Sequence, residues 1–330
     1  MKTISAKFAA CLILITGITS TLSAQWQPVG QIGFADGDNT SIAFSPSDEP
    51  FLAFNKYFLP GSPLSVMKFD NNNWVNVGSN GDSIGGQANS VSLVFSPSGE
   101  PYVAYGDIEN SDKATVKKFD GTSWVAVGTE GFSTNTAETV SLAFSSSGEP
   151  FVAFIDGANS DKASVMKFDG TNWVNVGAAG FSQGAAWFLS LALSPTDAPH
   201  VAYLDWGNSQ KVTVMKFDGS NWVNVGNAGF SPGAASNTTI RFSPSGEPFV
   251  AFQDGANSNQ ASVMKFDGSN WVNVGAAGFS QVTNLDHLLF KFNPSGEPTV
   301  SFRHFENNGK ISLMKYDGTN WTTVARAFWN

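Results

Sequence analysis

Six residues recur at one equivalent position, roughly every 49 residues, along a chain of 330: Lys56, Asp107, Asp156, Asp205, Asp254 and His304. Four are carboxylates, and each carboxylate precedes a short loop, as in Gly157-Ala158-Asn159-Ser160-Asp161. Facing a common space, these groups can accept hydrogen bonds from ligand hydroxyls or hold a hard cation. Facing their own loops, each can instead cap a turn by accepting backbone amides. The spacing Asp156, Asn159, Asp161 is not that of an EF-hand loop, so no metal site and no cofactor are expected.

Departures from the repeat are the other place to look for chemistry. Trp206 directly follows Asp205, and Trp187 lies upstream in the same unit. Two indoles beside a carboxylate suit a sugar, whose C–H face stacks on a ring while its hydroxyls donate to oxygen. In the last unit Arg303, His304 and Glu306 stand together, with His287 upstream and Lys56 and Tyr57 across any ring closure. Converged, they would serve as general acid and base. No nucleophile motif or Gly-rich phosphate loop accompanies them. His200 replaces a repeated Phe and is read as packing.

The elements that must position these residues are plain in the repeat. Tryptophans recur at Trp26, Trp74, Trp124, Trp173, Trp222, Trp271 and Trp321, and the last six end near-identical phrases such as Lys-Phe-Asp-Gly-Thr-Asn-Trp. A second phrase, of the type Phe-Ser-Pro-Ser-Gly-Glu-Pro-Phe-Val-Ala-Phe, recurs six times. In the third unit four short strands, A to D, are expected at residues 141–145, 150–154, 163–168 and 172–176. They are rich in Val, Phe and Trp and are bounded by turn residues. Ser-Pro-Ser-Gly supplies the A–B turn and Asp-Gly-Thr-Asn the C–D hairpin.

Four antiparallel strands repeated at this period predict an all-β, six-bladed β-propeller of four-stranded blades over residues 25–330. The A–B and C–D turns share one face. The longer B–C and D–A loops share the other, which is the expected binding face. One D-like strand is surplus: Gln-Trp-Gln-Pro-Val-Gly at the N-terminus is expected to meet the C-terminal strand at the closure. The repeated Trp and turn Asp are read as scaffold, and Glu149–Lys167 with its equivalents as cross-strand ion pairs.

The pattern resembles bacterial secreted propeller repeat proteins, loosely those with kelch and galactose-oxidase central domains. The kelch Gly-Gly doublet is absent from the repeat. The Asp-Gly-Thr-Asn-Trp phrase is similar to a sialidase Asp-box but sets Asp and Trp one residue closer. The resemblance implies the architecture alone.

Residues 1–24 read as a signal peptide, with Lys2 and Lys7 before the apolar run 8–15 and small residues at Ser20, Ser23 and Ala24. A secreted or periplasmic location follows. Cys11 is the only cysteine, so the processed chain is expected to have no disulfide. Loss of the two lysines takes the formal charge from −9 to −11, a poor match for nucleic acid or anionic lipid. No later run is long enough to insert in a membrane.

The sequence therefore favours a non-catalytic, lectin-like binding scaffold for carbohydrate, with Asp107, Asp156, Asp205, Asp254, Trp187, Trp206, Lys56 and His304 as candidate ligand residues. A protein-interaction propeller and a glycosidase- or lactonase-type hydrolase are the alternatives.

Overall fold

The computed structural model describes residues 11–12, 27–31, 37–56, 63–78, 84–283, 285–304 and 310–326. Residues 1–24, apart from Cys11–Leu12, lie outside them, as do Tyr57, Glu306 and the side chain of Lys56. Six four-stranded antiparallel sheets form a ring, each ordered A-B-C-D. Blade three shows the pattern: strands Ala137–Phe144, Pro150–Asp156, Lys162–Phe168 and Trp173–Asn175. Neighbouring A strands touch around the axis, so strand A is innermost and strand D outermost.

Turn chemistry sets the strand ends. Ser145 Oγ accepts from Glu149 N at 2.9 Å, closing the A–B turn. In the C–D hairpin, Asp169 Oδ1 accepts from Thr171 N at 2.9 Å and Asn172 N at 2.8 Å. These amides hold the Asp169 carboxyl below its usual range. Gly170 has φ +98°, and a Cβ there would meet nothing, so glycine is needed for its backbone conformation and not for space.

The core lies between blades. Strand B is buried along its whole length in blades two, three and four, because strands A and C flank it and a neighbouring blade covers each face. Every junction from blade one to blade six is tied by a repeated indole. Trp124, Trp173, Trp222, Trp271 and Trp321 donate Nε1–H to the carbonyls of Val77, Val127, Val176, Val225 and Val274 at 2.6–2.8 Å. Most of these rings also stack on the Phe of the Gly-Phe-Ser loop; Phe181 and Trp222 have centroids 3.9 Å apart and planes 9° off parallel. The scaffold reading of these tryptophans follows from their own contacts.

Trp74 continues the series with an N-terminal acceptor, Val29 O at 2.8 Å. Among the described residues the surplus strand does not pair with the C-terminal one. Gln27–Pro28 pairs with Cys11–Leu12, while Trp321–Arg326 pairs with Ile311–Tyr316. Val29 nevertheless takes the role that the preceding strand D plays at every other described junction.

The predicted Glu–Lys pairs form in four blades: Glu100–Lys118, Glu149–Lys167, Glu247–Lys265 and Glu297–Lys315, at 2.9–3.3 Å. In blade one Lys68 instead lies 3.4 Å from Asp70. Their side chains are all partly exposed, so replacing Glu149 and Lys167 together by Thr is expected to change unfolding free energy by no more than about 1 kcal/mol. Chemical denaturation checks this; a loss of several kcal/mol would mean the pair is structurally coupled to the core.

Candidate functional site on blade four

The register places Asp156 opposite Lys162 at one end of blade three, and Phe168 opposite Trp173 at the other. Asp107, Asp156, Asp205 and Asp254 therefore share the long-loop face, opposite the Asp-Gly hairpins, as the strand directions require.

The four carboxylates face their own loops. Each is buried and bonded to its own blade. Asp205, 0 % exposed, accepts from Gly207 N at 2.9 Å, Asn208 Nδ2 at 2.8 Å and Thr213 Oγ1 at 2.9 Å. Asp156 and Asp254 repeat this with Ala158, Asn159 and Ser164, and with Ala256, Asn257 and Ser262. In each case the carboxylate caps a three-residue 3-10 turn. The hydroxyl that donates to Asp205 also accepts from Gly229 N at 2.8 Å in the D–A loop. One carboxylate thus fixes two loops, the loop-capping role that the sequence reading set beside the ligand-binding one.

Asp107 keeps the Asn110 and Thr115 bonds but lacks the loop amide. Among the described residues, its Oδ1 and the nearby Tyr105 Oη are buried with no hydrogen-bond partner. Blade six puts His304 in the same role, Nε2 lying 2.7 Å from Ser312 Oγ. Lys56 ends strand B of blade one.

Arg303 and His304 do not converge either. As consecutive strand residues they point to opposite faces. His304 turns inward, and Arg303 makes a two-pronged ion pair with Asp286, Nε at 2.8 Å and Nη2 at 2.5 Å. Arg303 and His304 are thus held apart, and the other members, Glu306, Tyr57 and the side chain of Lys56, lie outside the described residues. His200 is buried against Phe242, edge-on at 4.8 Å, and burial pushes its pKa down to about 4, in keeping with a packing role.

Trp187 and Trp206 do come together. Their ring centroids are 6.2 Å apart at 51°, and they are 49 % and 51 % exposed. Trp206 takes the first position of the 3-10 turn, where blades three and five carry Gly157 and Gly255. Trp187 lies opposite Leu204 just before the strand A bulge. Trp206 N donates to Ala185 O at 3.1 Å, joining the two loops. That approach requires Gly184, where a Cβ would come within 2.5 Å of Gly207 N.

Two further residues join the pair. Phe188, 40 % exposed, adopts φ +48° at the bulge, a conformation costly for a bulky residue. Gln183 is exposed, its Cγ 3.5 Å from where a Cβ on Gly207 would stand. The exposed Trp187–Trp206 pair thus has Phe188 and Gln183 exposed on the same adjoining segments. Of the large hydrophobics exposed among the described residues, three cluster here; single exposed apolar residues need no explanation, but a cluster does.

No family model matches the chain, and no curated protein matches it. Solved structures share its fold. A polysaccharide lyase, an ulvan lyase bound to -[GlcA(1-4)Rha3S]-, aligns with TM-score 0.58 at 13 % identity over 88 % of this chain and 85 % of its own. A variant of the Aleuria aurantia lectin in complex with Fucα1-6GlcNAc aligns with TM-score 0.56 at 15 % identity, covering 91 % and 97 %. A Dyadobacter fermentans protein of unknown function aligns with TM-score 0.57 at 13 % identity, covering 86 % and 95 %. At these identities the likeness is one of fold, and the chain is a six-bladed β-propeller with lectins among its structural neighbours.

Proposed function

We propose that this protein is an exported glycan-binding scaffold, and that blade four carries its principal sugar platform. The observation that carries this reading is the exposed, splayed Trp187–Trp206 pair, held in place by loops that Asp205 pins from beneath. A saccharide ring stacks its C–H face on one indole while the other bounds its edge. Because Asp205 is buried, the Gln183 amide replaces it as the hydroxyl partner. The fold shared with fucose-binding and saccharide-bound proteins supports the ligand class, and the leader-like residues 1–24 support export.

Titration calorimetry with a bound saccharide tests the site. Trp206→Ala is expected to weaken affinity by roughly 5- to 150-fold, equivalent to about 1–3 kcal/mol. Ile108→Ala, at the equivalent exposed position of blade two, is expected to leave it unchanged. Equal affinity in the wild type and Trp206→Ala would remove blade four from the account.

A further inference from the structure

We infer that blade two binds a calcium ion on the long-loop face, between its B–C turn and the loop arriving from blade one, with Asp107, Glu109 and Tyr105 as ligands. The site is independent of the blade-four platform.

Tyr105 and Asp107 stand two residues apart on strand B, so their side chains point to the same side. Tyr105 packs in one core cluster with Leu64 and Ile84 of blade one, which fixes that side as the one facing blade one. Tyr105 is 1 % exposed, and among the described residues neither its Oη nor Asp107 Oδ1 has a hydrogen-bond partner. Asp107 Oδ2 already accepts from Asn110 Nδ2 at 2.8 Å and Thr115 Oγ1 at 2.9 Å. Oδ1 is therefore the oxygen left to bind, and a buried carboxylate oxygen left unmatched is costly.

The backbone facing these groups is Gly85-Gly86. A Cβ on Gly85 would stand 2.6 Å from Tyr105 Oη, and one on Gly86 would overlap the Glu109 carboxyl group. The phenol and the second carboxylate thus lie against one dipeptide, and only glycine lets the chain approach both. Glu109 is itself a departure from the repeat. Blades three, four and five carry Ala158, Gly207 and Ala256 there, and the amide of that residue bonds the strand-end Asp. Blade two lacks that bond and has a carboxylate in its place.

Charge gives the sign of the ligand. Burial first, and then the charges of Asp107, Glu130 and Glu109, push the Tyr105 phenol far above its usual range. It stays protonated and offers a neutral oxygen. Glu130 is paired with Lys117 Nζ at 2.8 Å, whereas Asp107 and Glu109 have no basic partner among the described residues. A cation between them offsets both their repulsion and the unmatched Oδ1. No three acidic or histidine side chains converge as a metal cage among the described residues, so the donor set is mixed: two carboxylates, a phenol and backbone carbonyls. Ca²⁺ accepts such irregular oxygen sets and completes its shell with water, whereas Mg²⁺ demands a near-ideal octahedron. Two carboxylates place the affinity in the weak range of extracellular modules, with Kd about 10⁻⁴–10⁻³ M. The ion takes over the missing turn bond and ties blade one to blade two.

The test titrates the protein with CaCl₂ against NaCl at constant ionic strength, read by calorimetry and thermal unfolding, with Tb³⁺ as a luminescent probe excited through Tyr105. The wild type is expected to show a single saturable site, a rise in melting temperature, and Tb³⁺ emission that Ca²⁺ displaces. Glu109→Ala installs the residue that blades three and five carry, so it is expected to fold and to weaken Ca²⁺ binding by about tenfold or more. Tyr105→Phe likewise matches Phe154 and Phe252, and is expected to cut the Tb³⁺ emission. Trp206→Ala is expected to leave Ca²⁺ binding unchanged, which separates this site from the sugar platform. In crystals of the wild type grown with Tb³⁺, an anomalous peak between Asp107 and Glu109 is expected. A non-saturable Ca²⁺ response, Ca²⁺ binding that survives intact in Glu109→Ala, or a bridging water alone between Tyr105 and Asp107 overturns the inference.

Discussion

Asp205→Ala is expected to lower the free energy of unfolding by about 3–5 kcal/mol, because it removes a buried charged acceptor and strands the donors that it satisfied. Gly207 N, Asn208 Nδ2 and Thr213 Oγ1 all point at this carboxylate. Thr213 Oγ1 also accepts from Gly229 N, so the loss spreads into the D–A loop. Asp205→Asn keeps the shape and part of the hydrogen bonding and is expected to lose less. Urea denaturation measures both. A near-neutral Asp205→Ala that nevertheless abolished ligand binding would return the residue to the ligand site and contradict the scaffold assignment.

Trp173→Ala is expected to cost a similar amount, about 3–5 kcal/mol, the range for deleting a buried large aromatic side chain. The indole is 8 % exposed. It stacks on Phe132 at 4.3 Å and 11°, and donates to Val127 O at 2.7 Å across the blade junction. Trp173→Phe keeps most of the packing and loses the indole hydrogen bond, so a smaller cost of about 1–2 kcal/mol is expected. Thermal and urea unfolding of the two variants separate packing from hydrogen bonding. Trp206→Ala serves as the contrast: its ring is half exposed, and its removal is expected to leave stability nearly unchanged while weakening binding. Equal stability losses at Trp173 and Trp206 would erase the distinction between scaffold and platform indoles.

The blade architecture was legible because every local signal agreed: Trp spacing, hairpin Asp-Gly, Ser-Pro-Ser-Gly turns and short β-rich runs all repeat together. The strand ends were less so. Strand A begins at Ala137 and strand B runs to Asp156, beyond the expected 141–145 and 150–154, because the bulge and the Asp-capped turn extend the ladder where composition turns polar.

The role of the strand-end carboxylates depends on burial, which residue type alone leaves open. A signal was nevertheless present, since each Asp is followed by Asn at three residues and by Ser or Thr at eight. Asp107, Asn110 and Thr115 form one such set, and Asp205, Asn208 and Thr213 another. That fixed spacing is the sequence mark of a self-contained hydrogen-bond network. His304 with Ser312 preserves it in another chemistry. Proximity of Arg303 and His304 in sequence misled in the opposite direction, because alternation along a strand separates adjacent side chains. Phe188 and Gln183 were missed for want of any repeat signature, and they joined the site only through loop geometry.

The central claim, that blade four presents a saccharide platform, is tested most directly by a glycan array probed with the chain from Gln25 onward and with its Trp187→Ala, Trp206→Ala double variant. The account predicts a defined set of glycans bound by the first and lost by the second, with unfolding midpoints of the two proteins alike. Binding of the same glycans by both proteins, or of no glycan by either, would contradict it.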